Sequence, residues 1–153
     1  ARELDKVATY AGEGATIDAD ALQAACSVLA EESVWELTSG IARRDAALAT
    51  RALHRLLRDG QAEHYLLAMV VMQMRKVLQA SQALRRGAPQ GQVGKAVRLR
   101  RAELDVIRRV AASDPPDAAA ILDKLAAANR AMNSSPAGPR RVLEALVVDL
   151  CTA

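Results

Sequence analysis

Residues 64–79, HYLLAMVVMQMRKVLQ, form the most apolar stretch of the chain, with no proline or glycine to interrupt it. Leu67, Val70, Met74, Val77 and Leu78 recur at three- and four-residue steps, and Leu84 extends the row. That period belongs to an α-helix. Leu66, Met69 and Val71 widen the stripe until nearly the whole middle is apolar, and a helix apolar that far round is packed on several sides. The surrounding helix-forming residues carry the predicted helix from about Ala62 to Arg86, roughly 36 Å at about 1.5 Å per residue. Its longest apolar run, Tyr65 to Met72, is far short of the roughly 20 residues that a membrane span needs. The stretch reads as the central rod of a helical bundle, with no membrane partner.

Moving outward, the composition agrees. Of 153 residues 51% are hydrophobic, yet phenylalanine is absent and the aromatics are only Tyr10, Trp35 and Tyr65. Alanine and leucine with arginine, glutamate and glutamine are helix formers, so the fold class expected is all-α. Ser33 and Glu36 form a capping box ahead of Trp35, Leu37 and Ile41. A helix over about 44–58 stops at Asp59-Gly60, and a connection over Gly87–Gly94 precedes a short helix holding Val93 and Val97. Further helices are expected over about 101–112, then after SDPPD with Ile121, Leu122, Leu125, Ala128 and Met132 facing inward. NSSPAGP breaks the chain before a last helix, about 140–151, that buries Leu143, Leu146, Val147 and Leu150.

Charge divides the chain. Residues 1–34 hold two basic and seven acidic residues, the remainder nineteen basic and eleven acidic, for a net +3. Two short helices are expected in the acidic part, one ending at Gly12 and one capped by Thr16 or Asp18. Alone they cannot close a core, so a boundary near residue 30 follows. The chain has no initiator methionine and starts inside a helical pattern, which suggests a piece of something longer. Cys26 and Cys151 are widely spaced and read as buried free thiols of a reducing compartment.

Catalytic signals are absent from the pattern. GAPQGQVGKA, residues 87–96, superficially suggests a phosphate loop, but Pro89 offers no N–H where the first glycine belongs. Ala96 replaces the magnesium-binding hydroxyl, and a basic helical segment stands where a strand is needed. His54 and His64, the only histidines, form no metal-ligand pattern, Cys26 has no histidine close in sequence, and there is no G-x-S-x-G motif. No cofactor, metal or catalytic residue is expected. A basic run offers a different function: eight cations between Arg85 and Arg109 face only Glu103 and Asp105. Residues 93–112 scan as helix, turn, helix, the outline of a small DNA-binding motif. Lys95, Arg98, Arg100 and Arg101 would make salt-sensitive phosphate contacts, without aromatics to stack on bases.

Several blocks, in order, resemble the delta subunit of the bacterial DNA polymerase III clamp loader. ELDKVATYAGEGATIDADAL (3–22) is similar to the end of that family's AAA+ lid, and ESVWELTSGIARRDAALATRALHRLLRDG (32–60) to the block that follows. HYLLAMVVMQMRKVLQ matches its L-L-x-x-[LI]-x-x-Q-x-R-x-[LI] pattern at Leu66, Leu67, Gln73, Arg75 and Val77 or Leu78. VGKAVRLRRAELDVIRRVA (93–111) and VLEALVVDLC (142–151) complete the series. Two departures stand out: Val97-Arg98-Leu99 replaces an aliphatic-Gly-Leu turn, and ANRAMNSSPAG lacks a customary aspartate.

The resemblance implies a lid end over 1–30 and a helical collar, or oligomerisation domain, over 31–153. It implies a cytoplasmic, nucleoid-associated DNA replication protein that hydrolyses no ATP itself, although it works in a DNA-directed DNA polymerase complex. The collar would hold the loader pentamer together through gamma/tau and delta prime, so that the clamp can be loaded on primed DNA. The sliding clamp itself would be met only by an N-terminal domain this chain does not contain. Candidate subunit-interface residues are then Trp35, Leu37, Met69, Met72, Gln73, Arg75, Leu146 and Leu150. DNA remains a secondary partner.

Overall fold

Seven helices account for nearly all of residues 34–113 and 115–152, which are those described by a computed structural model of the chain. They are α1 (34–42), α2 (Ala46–Arg58), α3 (Glu63–Arg85), α4 (Gln90–Val97), α5 (Arg101–Ser113), α6 (Ala118–Ser134) and α7 (Pro139–Leu150). Among the described residues there is no strand, and no helix is long and apolar enough to cross a membrane. The fold is all-α. By compactness the chain divides into Ala1–Ser33 and Val34–Ala153. The two acidic N-terminal helices, the Ser33 cap and Cys26 lie outside the described residues.

Local chemistry sets the helix ends. Asp45 caps α2 by accepting from the Leu48 N–H at 2.8 Å, and Asp117 caps α6 by accepting from Ala119 and Ala120. Gly60 and Gly138 take left-handed φ values of 84° and 82° after α2 and before α7, conformations that cost a glycine almost nothing. Pro139 then opens α7, where a missing N–H is harmless. In α1 the buried Thr38 hydroxyl donates back to the carbonyls of Val34 and Trp35, so a polar group is carried into the core already satisfied.

Two expectations change. The connection after α3 is shorter than the glycines suggest: Pro89 caps a helix that already includes Gly91 and Gly94. Gly94 is there for packing, since a β-carbon would stand 2.8 Å from Leu104 Cδ1. Leu122, expected inside, is 43% exposed. The buried row of α6 is Ile121, Leu125, Ala128 and Met132, and Leu122 falls about 100° off that row, one residue round the helix.

Two hydrophobic clusters result. The larger unites α1, α2, α6 and α7 with the first half of α3 through Leu37, Leu53, Leu66, Val70, Leu143 and Leu150, among twenty buried residues. The smaller joins Val77 and Ala80, further along α3, to Val93, Leu99, Leu104 and Ile107 of the α4–α5 pair. The long rod gives buried residues to both, and α1 touches both, with Leu37 in the larger and Trp35 against the smaller. Cys151, buried and unpaired, closes the larger cluster; burial, helped by the charge of Asp45, pushes its thiol above the usual range.

Candidate subunit interface

A groove of about 640 Å³ runs between α3 and α6. Leu67 and Leu125, buried core residues, make its floor, and Val71 and Ala126 flank them. Met72 and Leu122, 37% and 43% exposed, stand at its edge. Large apolar side chains left in water on adjoining helices mark a surface that gains from being covered. The rim is polar: His64, Arg75, Lys76, Gln79 and Asn129, with no carboxylate among the lining residues. A second hollow continues the groove along α3 past Leu78 and Gln82 to Arg85, with Pro116 and Ala118 opposite. Neither Arg75 nor Lys76 forms an ion pair with another described residue. An apolar floor with an unneutralised cationic rim fits a partner helix that is apolar on one side and acidic beside it.

The structure distributes the sequence candidates unevenly. Met72 and Arg75 lie on this groove. Met69 is half-buried against the larger cluster and Trp35 against the smaller one. Leu37, Leu146 and Leu150 are spent inside the chain's own core. Gln73 is 4% exposed, and its Oε1 has no hydrogen-bond partner among the described residues. Sequence reasoning missed Leu122, whose signal was its place off the buried row of α6. It also missed Lys76 and Gln79, which share the exposed side of α3 with Met72.

The basic α4–α5 pair has a different character. Lys95 and Arg101 line a hollow of about 480 Å³ with Gly94 and Leu104. Arg100 is engaged at home: its backbone N–H donates to Glu103 at 2.6 Å and its guanidinium lies 3.2 Å from the same carboxylate. Glu103, only 8% exposed, thus closes the N-terminus of α5 as the returning half of a capping box. Asp105 accepts from Gln90 at 2.8 Å and lies 3.7 Å from Arg108. The first turn of α5 turns Arg101 and Ala102 outward, while Glu103 and Leu104 are buried. One arginine is a thin basis for reading bases. His54 and His64, both exposed, meet Glu144 and Asn133, and no three of the described His, Cys, Asp and Glu residues cluster as metal ligands would.

Comparison with known proteins now bears on these surfaces. The family model for the DNA polymerase III delta subunit, C-terminal domain, matches residues 31–150, which include all seven described helices. Among solved structures, the Bacillus subtilis DNA clamp loader delta protein (YqeN) superposes with a TM-score of 0.68 at 19% identity. That match covers 99% of this chain and 45% of that protein, so the chain spans less than half of its length. At such identity the likeness is one of fold. No curated protein matches. Seven helices in the same order as the blocks first seen in the sequence, matched by one family model over most of the length, show that the chain belongs to the DNA polymerase III delta subunit family, as its C-terminal domain.

Proposed function

We propose that residues 31–153 are the collar of a bacterial clamp-loader delta subunit and hold it to its sister subunits, gamma/tau and delta prime, in the cytoplasm. Residues 1–30 are then the end of an AAA+ lid, and clamp opening belongs to a part of the protein outside this chain. In this reading the domain makes and breaks no bond; it keeps the loader assembled while the clamp is placed on primed DNA. The observation that carries the proposal is the α3–α6 groove on a domain of this family. It offers an apolar floor, exposed Met72 and Leu122, and a rim whose cations lack partners among the described residues. A neighbouring subunit's apolar and acidic helix is the occupant such a surface suits. Lys95, Arg98, Arg100 and Arg101 are given a secondary role, phosphate contact without base reading.

The test is size-exclusion chromatography with light scattering on the 153-residue chain, alone and mixed with the other loader subunits. The wild-type chain is expected to co-elute with them. The double substitution Met72→Glu and Leu122→Glu, at exposed positions, is expected to weaken association at least about 100-fold, as loss of a buried hot spot does, while the circular dichroism spectrum is unchanged. A wild-type chain that ignores the other subunits, or a double variant that assembles normally, overturns the proposal.

A further inference from the structure

One side of α2 carries Arg51, His54, Arg55 and Arg58, at the three- and four-residue steps that stack side chains along a single helix face. Arg140 joins them from the first turn of α7, a helix packed on α2, and Glu36 from α1, around an open hollow of about 510 Å³. Every lining residue is ionisable. Glu36 bonds Arg55. Glu144 lies 3.1 Å from Arg140 and 3.3 Å from His54. Arg51 and Arg58, both exposed, make no ion pair with any described residue. The patch therefore keeps a surplus of positive charge that the nearby carboxylates do not cancel.

We propose that this α2–α7 patch binds the phosphate backbone of a nucleic acid without reading its bases. Its four fixed cations are all arginines, whose planar forks suit phosphate oxygens better than a lysine's point charge does. From Arg51 to Arg58 is about 10 Å along the helix, the rise of roughly three phosphates on one strand. The choice of nucleic acid over an acidic protein follows from what the hollow lacks. A protein interface is anchored by apolar or aromatic side chains at its centre, and this lining has none, in contrast to the α3–α6 groove. Its one ring, His54, is held by Glu144, Arg55 and Arg140 are tied to carboxylates, and it has no Asn or Gln to pair with adenine, so backbone contact is the mode it suits best. The patch shares no residue with the 93–112 segment, and it does not depend on how the domain assembles.

The experiment is fluorescence anisotropy on the 153-residue chain with labelled 20-nucleotide oligo(dT) and a labelled 20-base-pair duplex, between 50 and 200 mM salt. Wild type is expected to bind both, with the logarithm of affinity falling linearly against the logarithm of salt. Arg51→Ala with Arg58→Ala should flatten that slope by about 1.4 on the single strand and about 1.8 on the duplex, two contacts' worth. Arg51→Lys with Arg58→Lys should keep the slope, and Arg75→Ala with Lys76→Ala, on the other surface, should leave it untouched. Circular dichroism confirms that each variant is folded. Three outcomes overturn the proposal: no wild-type binding at 50 mM salt, an unchanged slope in the alanine pair, or an equal loss in the Arg75 and Lys76 pair. Poly-glutamate binding through Arg51 and Arg58 more tightly than either DNA would also overturn it, in favour of an acidic protein.

Discussion

The two halves of α3 differ in sequence, the first nearly all apolar and the second carrying Arg75, Lys76, Gln79, Gln82 and Arg85, and differ as much in surroundings. From Leu66 to Met74 the rod is enclosed by α1, α2, α6 and α7 in a cluster of twenty buried residues. From Val77 to Ala80 it shares a cluster of six buried residues with α4, α5 and the turn between them, and α1 adds only the half-buried Trp35 and Ala42. Stability follows buried area, so one continuous helix runs from a strongly held body into a weakly held one. The α4–α5 pair should then open locally at a lower free energy than the rest. The apolar half recruits four helices, and the more polar half buries only Val77, Ala80 and Ser81 beyond Met74.

Truncating one side chain in each cluster separates the two bodies, and gives the largest effect expected. Leu53→Ala removes a fully buried side chain from the larger cluster and should lower unfolding free energy by about 2–5 kcal/mol in urea titrations. Ile107→Ala in the smaller cluster should cost a similar amount locally, read as faster amide exchange confined to α4 and α5, with α2 and α7 amides at wild-type rates. If Ile107→Ala speeds exchange throughout, the two clusters are one cooperative unit and the contrast fails.

That division also explains how far the sequence carried. Periodicity and punctuation placed the helices, because Asp59-Gly60, Asp117 and Gly138-Pro139 act within a turn of where they stand. They could not say which side of a helix apolar all round faces inward. Leu37, Leu146 and Leu150 and the exposed Met72 and Leu122 look alike as letters, and the packing of five helices into the larger cluster sorts them. The arginine patch was out of reach for a related reason: Arg140 is more than eighty residues along the chain from Arg58, and α2 read by itself is an ordinary solvated face.

Gln73 stands beside Met74, the last buried residue that α3 gives to the larger cluster, and four residues before Val77, the first it gives to the smaller one. It is buried, with its Oε1 unpartnered among the described residues. An orphaned buried acceptor costs about 1–3 kcal/mol, and methionine fills the same space with no acceptor to satisfy. Gln73→Met should therefore raise the urea midpoint, by about 1 kcal/mol in unfolding free energy, with an unchanged slope. A loss of that size instead would mean that the carbonyl finds a partner in solution, and that the junction between the two bodies is polar by design.

The smallest expected effect falls on the weaker body alone. Arg98, the C-cap of α4, takes φ 54° and ψ 51°, the left-handed region in which a β-carbon costs about 1–2 kcal/mol. Arg98→Gly removes that strain but returns about 0.5–1 kcal/mol of backbone entropy to the unfolded chain, leaving a net gain of about 0.5 kcal/mol. Exchange of the α4 and α5 amides should slow about twofold, and the main urea transition should stay where it is. Arg98→Ala keeps the β-carbon and should give no such gain. If glycine instead accelerates exchange, the arginine side chain is holding α4 against α5 by more than its backbone costs, and the second body is firmer than its six buried residues imply.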